Sequence, residues 1–246
     1  MRLIYLLIAV FLCWFSAQAQ TQPVQISDPG GTGGNYGSVS YYDPSKVGQK
    51  NTTVLTYADV EGTPFWNEKW YPAVLVLKGG NSVKLQNVKL NIYTSDVLYI
   101  DNKGTELEAI AGIVQKVIFF SEKDTSKVFA KFEAFPDTKI KNGYAFYRVL
   151  ADGKYKLLEL QRALIRTVPL NELEAKKTAS SFYTTSNYAI AVDNIVSPLR
   201  ALNSANITAM VNPDKEAEQW IKDNKLNLRK ETDAVTFFQY LNLLKK

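Results

Sequence analysis

Two apolar-rich runs in the first half of the chain predict a β-hairpin. Residues 73–77 and 83–93 flank Gly79-Gly80-Asn81, whose residues tolerate the positive backbone angles of a tight connection. The apolar positions of the second run change phase at its middle: Val83 and Leu85, then Val88, Leu90 and Ile92. Both sets face one side of a sheet only if a bulge lies near Gln86-Asn87, so we expect a bulge there.

Similar patterns predict strands throughout the region from 54 to about 192. The further predicted strands are 97–100, 113–120, 128–132, 144–150, 155–160 and 182–192. Two turn sequences separate neighbours, Asp101-Asn102-Lys103-Gly104 and Ala151-Asp152-Gly153-Lys154, and the Asp-Gly pair favours a hairpin. The connections are too short for crossover helices, so an antiparallel sheet is expected. The run 113–120 is so apolar and β-prone that we expect a central strand with neighbours on both sides.

The hydrophobic period changes from two to 3.6 near Pro198, which predicts helices in the last part of the chain. Asn212 and Pro213 match an N-cap and a first helical position, and that helix is expected to end near Asn224. A shorter helix is predicted at 204–211 and a last one at 231–244. The last helix carries one apolar stripe, formed by Ala234, Phe237, Phe238, Leu241 and Leu244. We expect this stripe to be core, with a partner-binding groove as the alternative.

These patterns predict an α+β fold, an antiparallel β-sheet body, barrel-like or sandwich-like, followed by C-terminal helices. The β domain is expected at 54–195, and the helical segment at 196–246 is expected to pack on it. No segment after residue 19 is apolar for long enough to span a bilayer as a helix.

The first residues of the chain predict an exported protein. Arg2 precedes the apolar run 3–15, and Ala17-Gln18-Ala19 places small residues where a signal peptidase reads them. A signal peptide is therefore expected at 1–19, with cleavage near Ala19. Cys13 lies inside the apolar run without a small residue directly before it, so a lipid anchor is not expected.

Residues 20–53 form a Gly/Tyr-rich segment that we interpret as a flexible tether. Its glycines lie mainly in 30–37, and the segment presents no apolar face to bury. A phosphate-binding loop is the alternative, but the Lys-Ser/Thr that follows the last glycine of such a loop is missing.

The composition removes several classes of chemistry. The chain has no histidine, and Cys13 is its only cysteine, which argues against Ser-His-Asp and Cys-His catalysis, zinc sites, iron-sulfur clusters and disulfides in the mature protein. We expect no cofactor and no metal. The formal net charge is +5, and acidic residues alternate with the lysines of 122–141, so a nucleic-acid surface is not expected either.

Four aromatic residues that precede and enter the first long strand are the best candidate binding site. Phe65, Trp66, Trp70 and Tyr71 lie within a few positions of one another, beside Pro64 and Pro72. Exposed rings at the edge of a domain can stack on sugars or hold a peptide. Alternatively, these rings close one end of the sheet core, because tryptophan buries a large apolar area.

Carboxylates supply the alternative, enzymatic hypothesis. Glu61, Asp96, Asp101 and Glu108 fall near predicted strand ends, where a facing pair could hydrolyse a glycosidic bond. No spacing distinguishes them from the carboxylates of ordinary exported β domains, so we expect no enzyme. Residues 28–43 lack the ligand spacing of a calcium loop.

Five segments carry a resemblance to a known group of proteins. They are Gly62-Thr63-Pro64-Phe65-Trp66, Asn91-Ile92-Tyr93, 147–154, 221–228 and 237–242. In this order they resemble exported proteins of unassigned function that are common in the Bacteroidota. The resemblance covers about 62–244, implies an exported cell-envelope protein and brings no catalytic residues.

The sequence therefore predicts an exported binding or assembly module without enzymatic activity, with a carboxylate-based hydrolase acting on envelope or extracellular glycan as the alternative. Periplasmic, outer-membrane-associated and secreted locations remain open. An envelope protein or a glycan is the expected type of partner.

Overall fold

The computed structural model describes residues 60–109, 112–140, 143–169 and 178–244. The predicted signal peptide, Cys13, the tether at 20–53 and the start of the β domain at 54 lie outside these residues. The strands are β1 (Val60–Glu61), β2 (Tyr71–Leu77), β3 (Ser82–Asn91), β4 (Asp96–Ile100), β5 (Glu106–Glu108), β6 (Val114–Phe120), β7 (Val128–Pro136), β8 (Tyr144–Ala151), β9 (Tyr155–Pro169), β10 (Thr178–Val192) and β11 (Ile195–Pro198). The helices are α1 (Ser204–Val211), α2 (Lys215–Asp223) and α3 (Glu231–Leu244).

The strands form one sheet that is not closed, and the helices follow it, which confirms the predicted sheet body with C-terminal helices. The strand order is β1-β10-β9-β8-β7-β6-β2-β3-β4-β5, and β11 also pairs with β10. The expectation of a purely antiparallel sheet was wrong in one place. β1 pairs with β10 in parallel, with Val60 opposite Ser180, so the sheet is mixed. The antiparallel prediction rested on the short connections between neighbouring strands. β1 and β10 are far apart in sequence, so that argument does not apply to them.

The first hairpin and its bulge are confirmed. β2 and β3 are antiparallel, with Tyr71 opposite Val88 and Ala73 opposite Leu85. Between these pairs, Pro72 of β2 is opposed by two residues of β3, Gln86 and Asn87. The bulge keeps Leu85 and Val88 on the same face, as the change of phase requires.

β6 is a central strand, as its composition predicts. It pairs with β2 on one side and β7 on the other. Val117 and Phe119 are buried, with 0% and 1% of their surface exposed. The Asp152-Gly153 turn joins β8 and β9 as an antiparallel hairpin, which is also confirmed.

The hairpin formed by β9 and β10 is much longer than the predicted 155–160 and 182–192. Tyr155 pairs with Val192 at one end and Pro169 pairs with Thr178 at the other, with no break in register between them. Among the added residues, Leu164 and Val168 are exposed, whereas Ala163 is buried. Backbone pairing with β10 continues through these residues, and the hydrophobic pattern did not reveal this part. The short strands β5 and β11 were also not predicted, and β11 carries the sheet past residue 195.

The helix boundaries agree with the prediction except at the start of α2. Asn212 was predicted to be an N-cap, but it is the C-cap of α1, with a left-handed φ of 43°, and its N–H bonds the carbonyl of Thr208. The N-cap of α2 is Asp214, whose side chain accepts a hydrogen bond from the N–H of Ala217. Asparagine tolerates the left-handed conformation and so serves either end of a helix.

Two apolar clusters occupy one face of the sheet. We define the sheet core by its buried residues Ala73, Leu75, Val88, Leu90, Ile92, Val97, Ala109, Val114, Val117, Phe119, Ala130, Phe132, Phe146 and Ala163. The helix core joins the sheet to the helices through Ala151, Tyr155, Leu157, Ile190, Leu199, Ile207, Val211, Ala217, Leu228, Ala234, Phe237, Phe238 and Leu241. The predicted stripe of α3 is thus buried, apart from Leu244, which is 37% exposed.

A third cluster packs on the opposite face of β7 to β10 and contains Phe135, Ala145, Tyr147, Leu158, Ala189 and Ala191. Leu157 and Leu158 belong to different clusters because neighbouring residues of a strand point to opposite faces. Within the described residues, none of the helices has the length and apolarity that crossing a membrane requires.

Candidate functional site

The four predicted aromatic residues lie on the segment that leads from β1 into β2. Hydrogen bonds hold this segment against the end of β3: the N–H of Trp66 donates to the carbonyl of Leu90 at 2.9 Å, and the N–H of Ile92 donates to the carbonyl of Pro64 at 2.9 Å. Phe65 also forms an isolated antiparallel bridge with Asn91. The backbone of the segment is therefore fixed, and its side chains separate into two groups.

Trp66 and Tyr71 join three phenylalanines in a cluster that we call the aromatic patch, formed by Trp66, Tyr71, Phe119, Phe129 and Phe132. The ring centroid of Trp66 lies 5.4 Å from that of Phe119, 5.3 Å from Phe129 and 4.9 Å from Phe132. Tyr71 lies 5.1 Å from Phe129. These spacings are typical of attractive ring pairs. Phe119 and Phe132 are buried, whereas Phe129 is 43% exposed, so the patch connects the sheet core to the surface.

A cavity of about 200 Å³ opens beside the aromatic patch. It is lined by Tyr71, Ser121, Glu122, Lys123 and Phe129. The lining combines two rings with a hydroxyl, a carboxylate and an ammonium group. Such a site offers apolar contact together with a few polar groups that can orient a ligand.

The turn between β6 and β7 that carries these polar groups is held by its own hydrogen bonds. Asp124 accepts bonds from the hydroxyl of Ser126 at 2.6 Å and from its N–H at 3.0 Å. These two bonds lower the pKa of the Asp124 carboxyl. The N–H of Lys123 donates to the Ser121 hydroxyl at 3.3 Å. Local bonding therefore shapes the rim of the cavity.

Phe65 and Trp70 form the second group, which surrounds the amine of Lys89 on β3. The Lys89 nitrogen lies 5.0 Å from the centroid of Phe65 and 4.6 Å from that of Trp70, within the range of cation–π attraction. Only 8% of Lys89 is exposed. Burial lowers the pKa of Lys89, and the charges of Glu106 and Glu68 oppose this effect. Phe65 is 8% exposed and thus mostly a core residue.

The carboxylates of the hydrolase hypothesis lie on or beside three strands, β1, β4 and β5. Asp96 and Asp101 lie at opposite ends of the β4 region, and Asp101 accepts bonds from the N–H groups of Lys103 and Thr105, both at 2.8 Å. Glu61 lies on β1 and Glu108 on β5. Asp101 thus orders a turn. No group of three or more acidic, histidine or cysteine side chains suited to a metal ion occurs among the described residues.

A buried carboxylate that sequence reasoning missed lies between the sheet core and the helix core. Glu159, 5% exposed, accepts hydrogen bonds from Arg148 at 3.1 Å, Gln161 at 3.0 Å and the Ser186 hydroxyl at 2.6 Å. On the neighbouring strand β10, the hydroxyl of Tyr188 donates to Glu231 of α3 at 3.0 Å. This polar band separates the two apolar clusters and ties a helix to the sheet.

Tyr188 makes the free energy of unfolding depend on pH in the alkaline range. Burial and the nearby Glu231 carboxylate raise its pKa from 10.0 to about 12. The folded state therefore keeps a proton that the unfolded chain loses near pH 10. The stabilisation is complete below pH 10 and is lost as the pH rises through 12.

We expect Tyr188→Phe to flatten the loss of stability between pH 10 and 12, measured by urea unfolding at several pH values. At pH 7 the lost hydrogen bond should cost about 1–2 kcal/mol. Glu231→Gln removes the charge but not the burial, so its slope should lie between those of the wild type and Tyr188→Phe. Equal slopes for all three proteins would contradict this assignment.

The structure adds Phe119, Phe129, Phe132 and Lys89 to the residues named from the sequence. The first three lie in predicted strands, but nothing in their spacing places them beside Trp66. Lys89 occupies the polar position between Val88 and Leu90 and follows the alternation of a strand. The bonding of Pro64 and Trp66 to the end of β3, together with the pairing of β6 with β2 and β7, brings these groups together. No family model, curated protein or solved structure matches this chain.

Proposed function

We propose that this protein is a glycan-binding module without enzymatic activity, and that the aromatic patch and its cavity are the binding site. The observation that carries the proposal is the exposed ring of Phe129, which is backed by Trp66 and Tyr71 and faces a small polar-rimmed cavity. Sugars present C–H groups on one face, which pack on aromatic rings, and hydroxyls at their edge, which bond to polar side chains. The patch offers both kinds of contact.

The size of the cavity supports a small recognition unit. Pockets for drug-sized ligands measure roughly 300–1,000 Å³, whereas this cavity measures about 200 Å³. A single sugar residue of a longer chain suits it better than a whole compact ligand. Ser121, Glu122 and Lys123 can each bond a sugar hydroxyl, and they line the same cavity as Phe129.

The proposed location is the cell envelope or the extracellular space. It is supported by the leader pattern at 1–19 and by the resemblance to exported proteins of the Bacteroidota. Envelope and extracellular polysaccharides are the glycans that an exported module meets.

We also propose that the sheet body is barrel-like in shape, although its sheet is not closed. Two observations support this curvature. One cluster, the sheet core, gathers residues from β2 through β9. The segment from Val60 to Trp66 bonds to β10 at its start and to β3 at its end.

Binding to defined glycans tests the proposed function. The protein would be screened on an array of bacterial polysaccharide fragments, and the best ligand would be titrated by calorimetry. Phe129→Ala should weaken binding about tenfold or more, since a ring contact contributes about 1 kcal/mol beyond the area it buries. Tyr183→Ala is the matched control, because Tyr183 is 44% exposed but lies on the long hairpin.

The two variants separate the possible outcomes. Equal affinity of Phe129→Ala and the wild type, or equal loss in both variants, would overturn the assignment of the site. New reducing ends released from the bound glycan would instead support the hydrolase alternative. In that case Asp96→Asn and Glu108→Gln are the first variants to assay.

A further inference from the structure

A second cavity, of about 450 Å³, lies between the start of α1 and the linker at 224–230 that joins α2 to α3. Its volume falls within the roughly 300–1,000 Å³ that is typical of pockets for small organic ligands. Two leucines of the linker contribute the larger apolar groups of its lining. Leu228 is buried in the helix core, and Leu226 is half-buried against that core. One part of the cavity is therefore an apolar wall that the helix core supports.

Two asparagine amides in the lining have unused donor groups. The Oδ1 of Asn203 accepts a hydrogen bond from the N–H of Asn206 at 2.8 Å, and the Oδ1 of Asn227 accepts one from the N–H of Arg229 at 3.1 Å. Neither side-chain NH2 group donates to another residue in the described part of the chain. Each amide oxygen thus serves the protein, whereas each NH2 group is left to donate to a ligand.

Arg229 is the charged residue of the lining, and none of the other lining residues is acidic. Its side chain forms no ion pair or hydrogen bond with any residue that the structure describes. The two acids in the first turn of α3 are bonded elsewhere. Asp233 accepts the N–H of Asn227 at 2.8 Å, and Glu231 accepts the hydroxyl of Tyr188 at 3.0 Å. The cavity therefore carries a positive charge that no described carboxylate contacts.

We propose that this cavity binds a small aliphatic carboxylic acid. The guanidinium of Arg229 holds the carboxylate, because arginine can donate two parallel hydrogen bonds to such a group. The NH2 groups of Asn203 and Asn227 donate further bonds to its oxygens. The aliphatic body packs on Leu226 and Leu228. This site shares no residue with the aromatic patch and does not depend on glycan binding.

The lining favours a carboxylic acid over a phosphate. A phosphate group carries more negative charge than one guanidinium neutralises, and inorganic phosphate has no apolar body to cover the two leucines. A carboxylate carries one charge and accepts bonds at two oxygens, which matches the fork of one arginine.

Titration of the ¹⁵N-labelled protein with hexanoate, followed by NMR, tests the proposal. The amide signals of residues 203–205 and 226–229 should shift and reach saturation. Acetate keeps the carboxylate but lacks four CH2 groups, each of which strengthens binding about fourfold when buried, so acetate should bind at least about tenfold more weakly. Hexanol keeps the body but lacks the charge and should also bind at least about tenfold more weakly. Absence of a saturable shift at these residues, or affinities of acetate or hexanol equal to that of hexanoate, would overturn the proposal.

Two charge-removing variants locate the carboxylate. Arg229→Gln should weaken hexanoate binding about tenfold or more and abolish the preference for hexanoate over hexanol. Lys230→Gln is the matched control, because it removes the same charge one residue further along and Lys230 does not line the cavity. Both side chains are exposed, so both variants should fold like the wild type. Affinity of Lys230→Gln should stay within about twofold of the wild type, and equal losses in the two variants would contradict the site.

Discussion

Replacement of Phe238 by alanine is expected to destabilise the protein by about 3–5 kcal/mol. Phe238 is fully buried in the helix core and packs edge to face on Phe237 at 6.0 Å. Loss of such a ring removes its burial and leaves a cavity. The melting temperature should fall by about 2–4 °C for each kcal/mol. Thermal unfolding followed by circular dichroism measures the change.

Leu243→Ala on the same helix is the matched control. Leu243 is 66% exposed, so its replacement should change the free energy of unfolding by about 0.5 kcal/mol or less. If Phe238→Ala melts like this control but loses a partner in a pull-down from the cell envelope, the stripe of α3 would be an interface and not core.

An equally large effect is expected from Gly153→Ala in the turn between β8 and β9. Gly153 has a φ of 148°, and a Cβ there would lie 2.4 Å from the Cγ of Asn242 on α3. Asn242 accepts a bond from the N–H of Tyr155 at 2.9 Å and donates to the carbonyls of Tyr155 at 2.8 Å and Asp152 at 3.3 Å. The methyl group must displace this side chain. Backbone strain of about 1–3 kcal/mol and the three lost bonds, about 1 kcal/mol each, add up to about 4–6 kcal/mol.

A double-mutant cycle separates the two costs. In the Asn242→Ala background the methyl group meets no amide, so Gly153→Ala should cost only the backbone strain. The expected coupling is about 1–3 kcal/mol, measured by urea unfolding of the four proteins. Additive effects would show that Asn242 does not link the turn to α3.

The elements that were predicted correctly have their sequence signals within their own residues. The bulge at Gln86-Asn87 followed from a change of phase within one strand, and α3 followed from its helical period. Each signal lies within the element that it predicts. The parallel pairing of Val60 with Ser180 has no such signal, because the partners meet only after the intervening strands have formed.

The candidate site was predictable in part for the same reason. Trp66 and Tyr71 were named because tryptophan and tyrosine near a strand start are notable in any sequence. Phe129 has an ordinary place at the start of a strand, and only the sheet order puts it beside them. Asn212 shows a different limit, since one residue type suits both ends of a helix and the sequence does not decide between them.

The pairing of β1 with β10 also sets an order of events when the chain folds. The hairpins β2–β3, β6–β7, β8–β9 and β9–β10 join neighbours in sequence and can form early, because they close short loops. Val60 finds its partner only after Ser180 has been made and placed, so β1 docks late. The segment that carries Trp66 is anchored by this step. The aromatic patch is therefore expected to be among the last parts of the molecule to form.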